Sequence, residues 1–133
     1  MTGTDMIQIR PRETVILATD ISVLVDWYRD VLGFTINQLI DDDFHYCHLE
    51  TRSGIKIGIA DANEMGVEPI DRNGNTILLQ FEVDDLPKFF EYLKTKGASI
   101  TGGPSFDAKD EFWFGSFCDP EGNPIWVVDK NCP

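Results

Sequence analysis

The chain states one arrangement twice, and this repeat narrows the possible folds more than any other feature. GIKIGIAD (54–61) and GNPIWVVD (122–129) each run from Gly to Asp over seven steps and read as apolar strands. TVILAT (14–19) precedes a helical stretch, DISVLVDWYRDVLGF, in which Val25, Tyr28 and Leu32 share one stripe. Asp20 or Ser22 can cap that helix, and Gly33 can stop it. The same order recurs later. TILLQFEV (76–83) leads into DDLPKFFEYLKTKG, with Pro87 in the first helical turn and Gly97 just past the end. Asp20 precedes Gly33 by thirteen positions, and Asp85 precedes Gly97 by twelve. FTINQLI and FHYCHLET complete the first half, with Asp41–Asp43 as an exposed turn between them; ASITGGP and EFWFGSF complete the second. The chain therefore reads βαβββ twice: module one about 13–61, a polar linker about 62–74, and module two about 75–129, in a single domain. Two copies are too few for a solenoid, so two packed halves are expected.

Alternation along the strands assigns faces. Ile55, Ile57 and Ile59 share one face, which must be buried beneath a helix, while Lys56, Gly58 and Ala60 share the other. By the repeat, Ile125 and Val127 face the helices, and Trp126 and Val128 face away. Ile77, Leu79, Phe81 and Val83 are expected on the helix side; Leu78, Gln80 and Glu82 are expected on the open side. Glu13, Val15 and Leu17 follow the open side in the first strand. The open face thus carries Glu13, Lys56, Gln80, Glu82 and Trp126, joined by Tyr46, His48, Phe114 and Ser116 from the strands between. Aromatic walls with a few polar groups are what a small-ligand cleft needs.

Composition sets the outer limits. Apolar residues make up 42% and charged residues 26% of 133, which excludes disorder and is enough for a core. The net charge of −12 repels phosphate backbones and anionic lipid, so neither nucleic acid nor membrane is an expected partner. No apolar run is long enough to span a bilayer, and MTGTDMIQIRPRE lacks the apolar core of a signal peptide. Cys47, Cys118 and Cys132 form no paired framework. These features point to a reducing, cytoplasmic setting.

Three ordered stretches resemble the vicinal oxygen chelate superfamily of glyoxalases, bleomycin resistance proteins and extradiol dioxygenases. WYRDVLGF (27–34) is similar to its first-module signature, FEVDDL (81–86) to the start of its second module, and FCDPEGNPI (117–125) to its closing turn. The resemblance implies an α+β fold. Two pseudo-symmetric βαβββ modules would form an open, incompletely closed mixed β-barrel with helices on the outer face. Metal-dependent members place His, Glu or Gln on the first and last strands of each module, and the ion acts as a Lewis acid. Carried over, those positions are Glu13, Gly58, Leu78 and Trp126. Only Glu13 is a donor suited to a divalent ion, so the usual metal site is expected to be absent, and no cofactor is expected. A shift of two residues would let Gln80 replace Leu78.

The first expectation is a metal-free binding protein resembling the bleomycin resistance branch. It would hold an aromatic, cationic or amphipathic ligand with Glu13, Tyr46, His48, Lys56, Gln80, Glu82, Phe114 and Trp126. The resemblance also implies a homodimer with clefts between subunits. The alternative is a glyoxalase-like lyase, isomerase or dioxygenase with a rearranged site. It would bind Zn, Ni, Mn or Fe through Glu13 with Gln80 or His48, with Glu13 and Glu82 as candidate catalytic carboxylates. His45 and His48 are three apart on a strand, point to opposite faces and cannot chelate one ion together.

Overall fold

A computed structural model describes residues 7–133; part of the N-terminal stretch read above, residues 1–6, lies outside the described residues. The first half comprises β1 (Thr14–Ala18), α1 (Ile21–Asp30), β2 (Thr35–Asp41), β3 (His45–Glu50) and β4 (Lys56–Asp61). The second comprises β5 (Leu79–Val83), α2 (Leu86–Thr95), β6 (Ser99–Asp107), β7 (Phe112–Cys118) and β8 (Pro124–Asp129). Each half forms a four-stranded mixed sheet, ordered β1-β4-β3-β2 in sheet one and β5-β8-β7-β6 in sheet two. The first strand of each half pairs parallel to the last, and the remaining pairs are antiparallel. No helix among the described residues is long and apolar enough to cross a membrane.

Local chemistry sets the helix ends. Asp20 caps α1 by accepting from the Val23 amide at 3.2 Å, and Asp85 caps α2 by accepting from the Lys88 amide at 3.1 Å. Gly33 and Gly97 follow the helices with φ of +76° and +71°, a conformation that costs glycine little. Leu24, Val25 and Tyr28 form the buried stripe of α1; Leu86, Phe90 and Leu93 form that of α2.

The two sheets do not close into a barrel. The faces covered by helices contribute to one common core, which holds Tyr28, Phe34, Phe81, Phe90 and Phe117 together. Helix α1 reaches the second half directly. The Trp27 ring lies 6.4 Å from Phe117, Phe34 lies 6.2 Å from Phe81, and the Tyr92 hydroxyl donates to the Val31 carbonyl at 2.6 Å. Each helix buries one stripe in this shared core and keeps its other face exposed. Merging two small apolar faces buries more surface than either half buries alone.

The closing turn fastens this joint. Asp119, 2% exposed, accepts from the Tyr28 hydroxyl at 2.9 Å, from the amides of Glu121 and Asn123, and from the Asn123 side chain. Glu121 reaches the other half, accepting from the amides of Thr19 at 2.7 Å and Asp20 at 2.9 Å. Arg72, in the segment read above as linker, pairs with Glu121 at 2.8 Å and donates to Asn123 at 3.0 Å.

One facing expectation fails. Ile77 is 87% exposed and does not reach the helix side. The β5–β8 ladder starts at Leu79 opposite Ile125, because β8 itself starts at Pro124. Residues 76 and 77 would have to pair with the turn, which offers no strand, and Leu78 would face Pro124, which has no N–H to donate.

Candidate functional site

With the helix faces consumed in the shared core, both open faces are left exposed, and the candidate residues divide between them. On sheet one, β3 and β4 pair with His48 opposite Gly58 and Tyr46 opposite Ala60. Cys47 and Leu49 point into the core, so Tyr46 and His48 share the open face. Glu13, just before β1, meets them there. The Tyr46 hydroxyl donates to Glu13 Oε1 at 2.5 Å, and His48 Nδ1 lies 3.0 Å from each carboxylate oxygen. The Glu13 side chain is 8% exposed and that of His48 25%. Gly58 makes room for this network, since a Cβ there would collide with the Tyr46 hydroxyl. Lys56 lines the same groove, about 370 Å³ in volume, together with Arg12 and Glu50.

Burial pushes the Glu13 pKa up, but the hydrogen bonds from Tyr46 and His48, aided by the charges of His48 and Arg12, outweigh it, and the carboxyl ends below its ordinary value. The Tyr46 phenol is pushed up, first by burial and then by its bond to the Glu13 carboxylate. Glu13 is therefore an ionised acceptor, and Tyr46 keeps its proton.

On sheet two, Gln80, Ser116 and Trp126 are direct neighbours: Trp126 lies opposite Gln80 on β5 and opposite Ser116 on β7. With Phe114, Ser105 and the Gly102-Gly103 bulge they line a cleft of about 450 Å³. Trp126 is 53% exposed and Phe114 41%, so both rings are open to a ligand in this cleft. Glu82 is exposed on β5, opposite Val128, but does not line this cleft. A chain that reads as one open face thus presents two. Glu13, Tyr46, His48 and Lys56 lie on one sheet; Gln80, Glu82, Phe114 and Trp126 lie on the other. Sequence reading missed Ser105 and the Gly102-Gly103 bulge, which carry no motif and reach the cleft only through an irregular β6.

Two sheets of this order, one core and an open face on each define an α+β architecture with paired strand-helix units. A family model described as Glyoxalase/Bleomycin resistance protein/Dioxygenase superfamily matches residues 10–127, and the chain belongs to that superfamily. Solved structures agree in fold. A superfamily member from Sphaerobacter thermophilus is 19% identical, with a TM-score of 0.74 over 94% of this chain and 99% of that one. A family enzyme from Burkholderia phytofirmans is 21% identical, with a TM-score of 0.70 over 88% and 95%. A virulence protein from Salmonella typhimurium is 26% identical, with a TM-score of 0.65 over 93% and 98%. No curated protein matches the chain in sequence.

The residues do not fit the divalent ion that metal-dependent members hold. Of the four corresponding positions, Gly58 and Leu78 offer no donor, and the Trp126 indole N–H cannot ligate a cation. The space at Gly58 is filled by Tyr46 rather than left as a cradle. Glu13 is committed to Tyr46 and His48. His48 turns Nδ1 toward Glu13, so the pair bonds to itself. Among the described residues, no group of three or more His, Cys, Asp or Glu side chains is arranged to hold a metal.

Proposed function

We propose that this protein is a small-molecule-binding member of the superfamily that works without the usual divalent ion. The observation that carries this reading is the cleft beside Trp126. It offers an exposed indole and a phenyl ring as stacking surface, with Gln80, Ser105 and Ser116 as the polar groups that orient a guest. The net charge of −12 favours a cationic or amphipathic aromatic guest. The two βαβββ units are copies of one pattern, and the protein works as a homodimer. In it, sheet one of one chain faces sheet two of its partner, so that the Glu13–His48 groove and the Trp126 cleft become opposite walls of one site. The exposed open faces and the unpaired edges of β1 and β5 support that arrangement.

Tryptophan fluorescence tests the reading, with bleomycin as a representative cationic aromatic guest. Wild-type emission is expected to change on titration, and Trp126→Ala is expected to weaken binding at least about tenfold, the effect of losing a stacking anchor. An unfolded Trp126→Ala variant would make Trp126 a structural residue and overturn the assignment.

The competing reading is a metal-dependent lyase, isomerase or dioxygenase, supported by the adjacency of Glu13 and His48 and by the family enzyme among the structural neighbours. Near-stoichiometric Ni, Zn, Mn or Fe in protein purified without chelator, lost in Glu13→Ala, would decide for it.

A further inference from the structure

Strand pairing sets the open face of sheet two in rows. One row runs Gln80, Trp126, Ser116, Gly102 from β5 to β6, and the next runs Glu82, Val128, Phe114, Ser105. Neighbouring strands stand about 4.8 Å apart. The indole is therefore flanked at one level by a carboxamide and a hydroxyl, and Gly102 leaves the place beyond Ser116 without a side chain. Phe114 rests against Phe112, with ring centroids 5.8 Å apart, whereas Trp126 meets no other ring among the described residues. The stacking face nearest both polar groups is thus the one left free.

The polar groups beside it have a definite pattern. The Gln80 side chain bonds to no described residue, so its carboxamide offers an N–H donor and a C=O acceptor side by side. Ser116 Oγ accepts from the Thr101 hydroxyl at 2.8 Å, which leaves its own proton to donate. No described residue lining the cleft is ionisable. Glu82 ends the second row but stands outside the cleft, and Glu13, on the sheet that faces it in the proposed dimer, is already engaged by Tyr46 and His48. An ion entering the cleft loses hydration and finds no counter-charge; a cation gains only the modest pull of an exposed indole. An uncharged ring loses little.

We infer that Gln80 is the specificity-determining residue of this cleft, and that the cleft takes uncharged planar heteroaromatic molecules with a lactam edge. The inference rests on the binding reading above and narrows the aromatic guest it names. The ring stacks on Trp126. Its adjacent N–H and C=O form two hydrogen bonds with the Gln80 carboxamide, and an acceptor on the far side of the ring takes the Ser116 proton. One lactam edge satisfies the donor and the acceptor of Gln80 together, which neither a lone carbonyl nor an ammonium group does.

Isothermal titration calorimetry at neutral pH tests it with three bicyclic probes. Quinazolin-4(3H)-one carries the lactam edge and a ring nitrogen across from it, 3-methylquinazolin-4-one lacks the N–H, and 1-methylquinolinium is a cation. Wild type is expected to bind the first at least about fivefold more tightly than either of the others, the ratio that one lost hydrogen bond gives. Gln80→Leu is expected to remove the preference over the methylated probe while holding that probe as before. Gln80→Glu, which accepts without donating and adds a charge, is expected to turn the preference toward the cation. Gln80 is exposed, so neither change disturbs the core. Trp126→Ala is expected to weaken all three. Equal binding of the three probes, lost in Trp126→Ala, would keep the stacking cleft and overturn the inference. A wild-type preference for the cation, or a lactam preference that survives in Gln80→Leu, would overturn it too. Binding of none of the three at millimolar concentration overturns it as well, and the bleomycin titration then judges the binding reading separately.

Discussion

Gly58 shows how one residue's absence organises a site. Its hydrogen is all that separates the β4 backbone from the Tyr46 hydroxyl, and that contact aims Tyr46 at Glu13. Adding a methyl group forces Tyr46 aside and breaks its bond to a nearly buried carboxylate. Gly58→Ala is therefore expected to cost about 1–3 kcal/mol, the range for overpacking a filled site. In a Tyr46→Ser background most of that cost is expected to disappear, and urea midpoints of the four proteins in the cycle measure it. Only part of this was legible beforehand. The repeat paired Gly58 with Trp126, but Tyr46 comes from a different strand, and its approach depends on how β3 and β4 pair. Asp119 behaves similarly. Its turn role follows from its neighbours in sequence, whereas its bond to Tyr28, 91 positions away, follows from helix packing alone.

Among the elements, the β2–β3 hairpin has a dependence of its own. His45 begins β3 and pins the hairpin to the turn after β4 by bonding to Glu64, which also accepts from the His45 amide at 2.8 Å. The bond to Glu64 raises the His45 pKa, partial burial opposes it, and the charges of Glu64 and Asp41 add to the rise. A group whose folded pKa is raised stabilises the fold fully below its unfolded value, near 6.5, and loses that contribution as the pH climbs through the raised folded value. Urea midpoints of wild type and His45→Asn are expected to differ most in mildly acidic solution and to converge at higher pH. The Asp41–Asp43 run read as a solvated turn, and its residues are exposed, but Asp41 also ends β2 and holds His45 Nε2. The short-range pattern identified the turn; the cross-strand pairing made it part of an ion cluster.

For the whole molecule, the decisive fact is that both helix faces are spent on one core, leaving two open sheets outward. Val15, Ile70 and Ile77 line a groove of about 460 Å³ along β1 and the approach to β5, and are 50%, 91% and 87% exposed. Apolar edges of this kind call for a covering partner. Light scattering is expected to give twice the 15.0 kDa chain mass, and Ile77→Lys, which places a charge on that strip, is expected to shift the protein toward monomer. A wild-type mass of one chain at micromolar concentration would remove the dimer from the account.

Pattern alone determined the elements, their order, the helix caps and the face that most strand residues take. These depend on neighbours within a few positions, where spacing and backbone preference dominate. The tertiary structure decided how the two halves meet. Whether each half buries its helix-covered face alone or shares one core with the other half is set by long-range burial, to which strand alternation is blind, since both arrangements hide the same residues. That choice places Glu13 and His48 on one surface and Trp126 on another. It also gives the DPEGN turn its second task, the carboxylates of Asp119 and Glu121 fastening one half of the chain to the other.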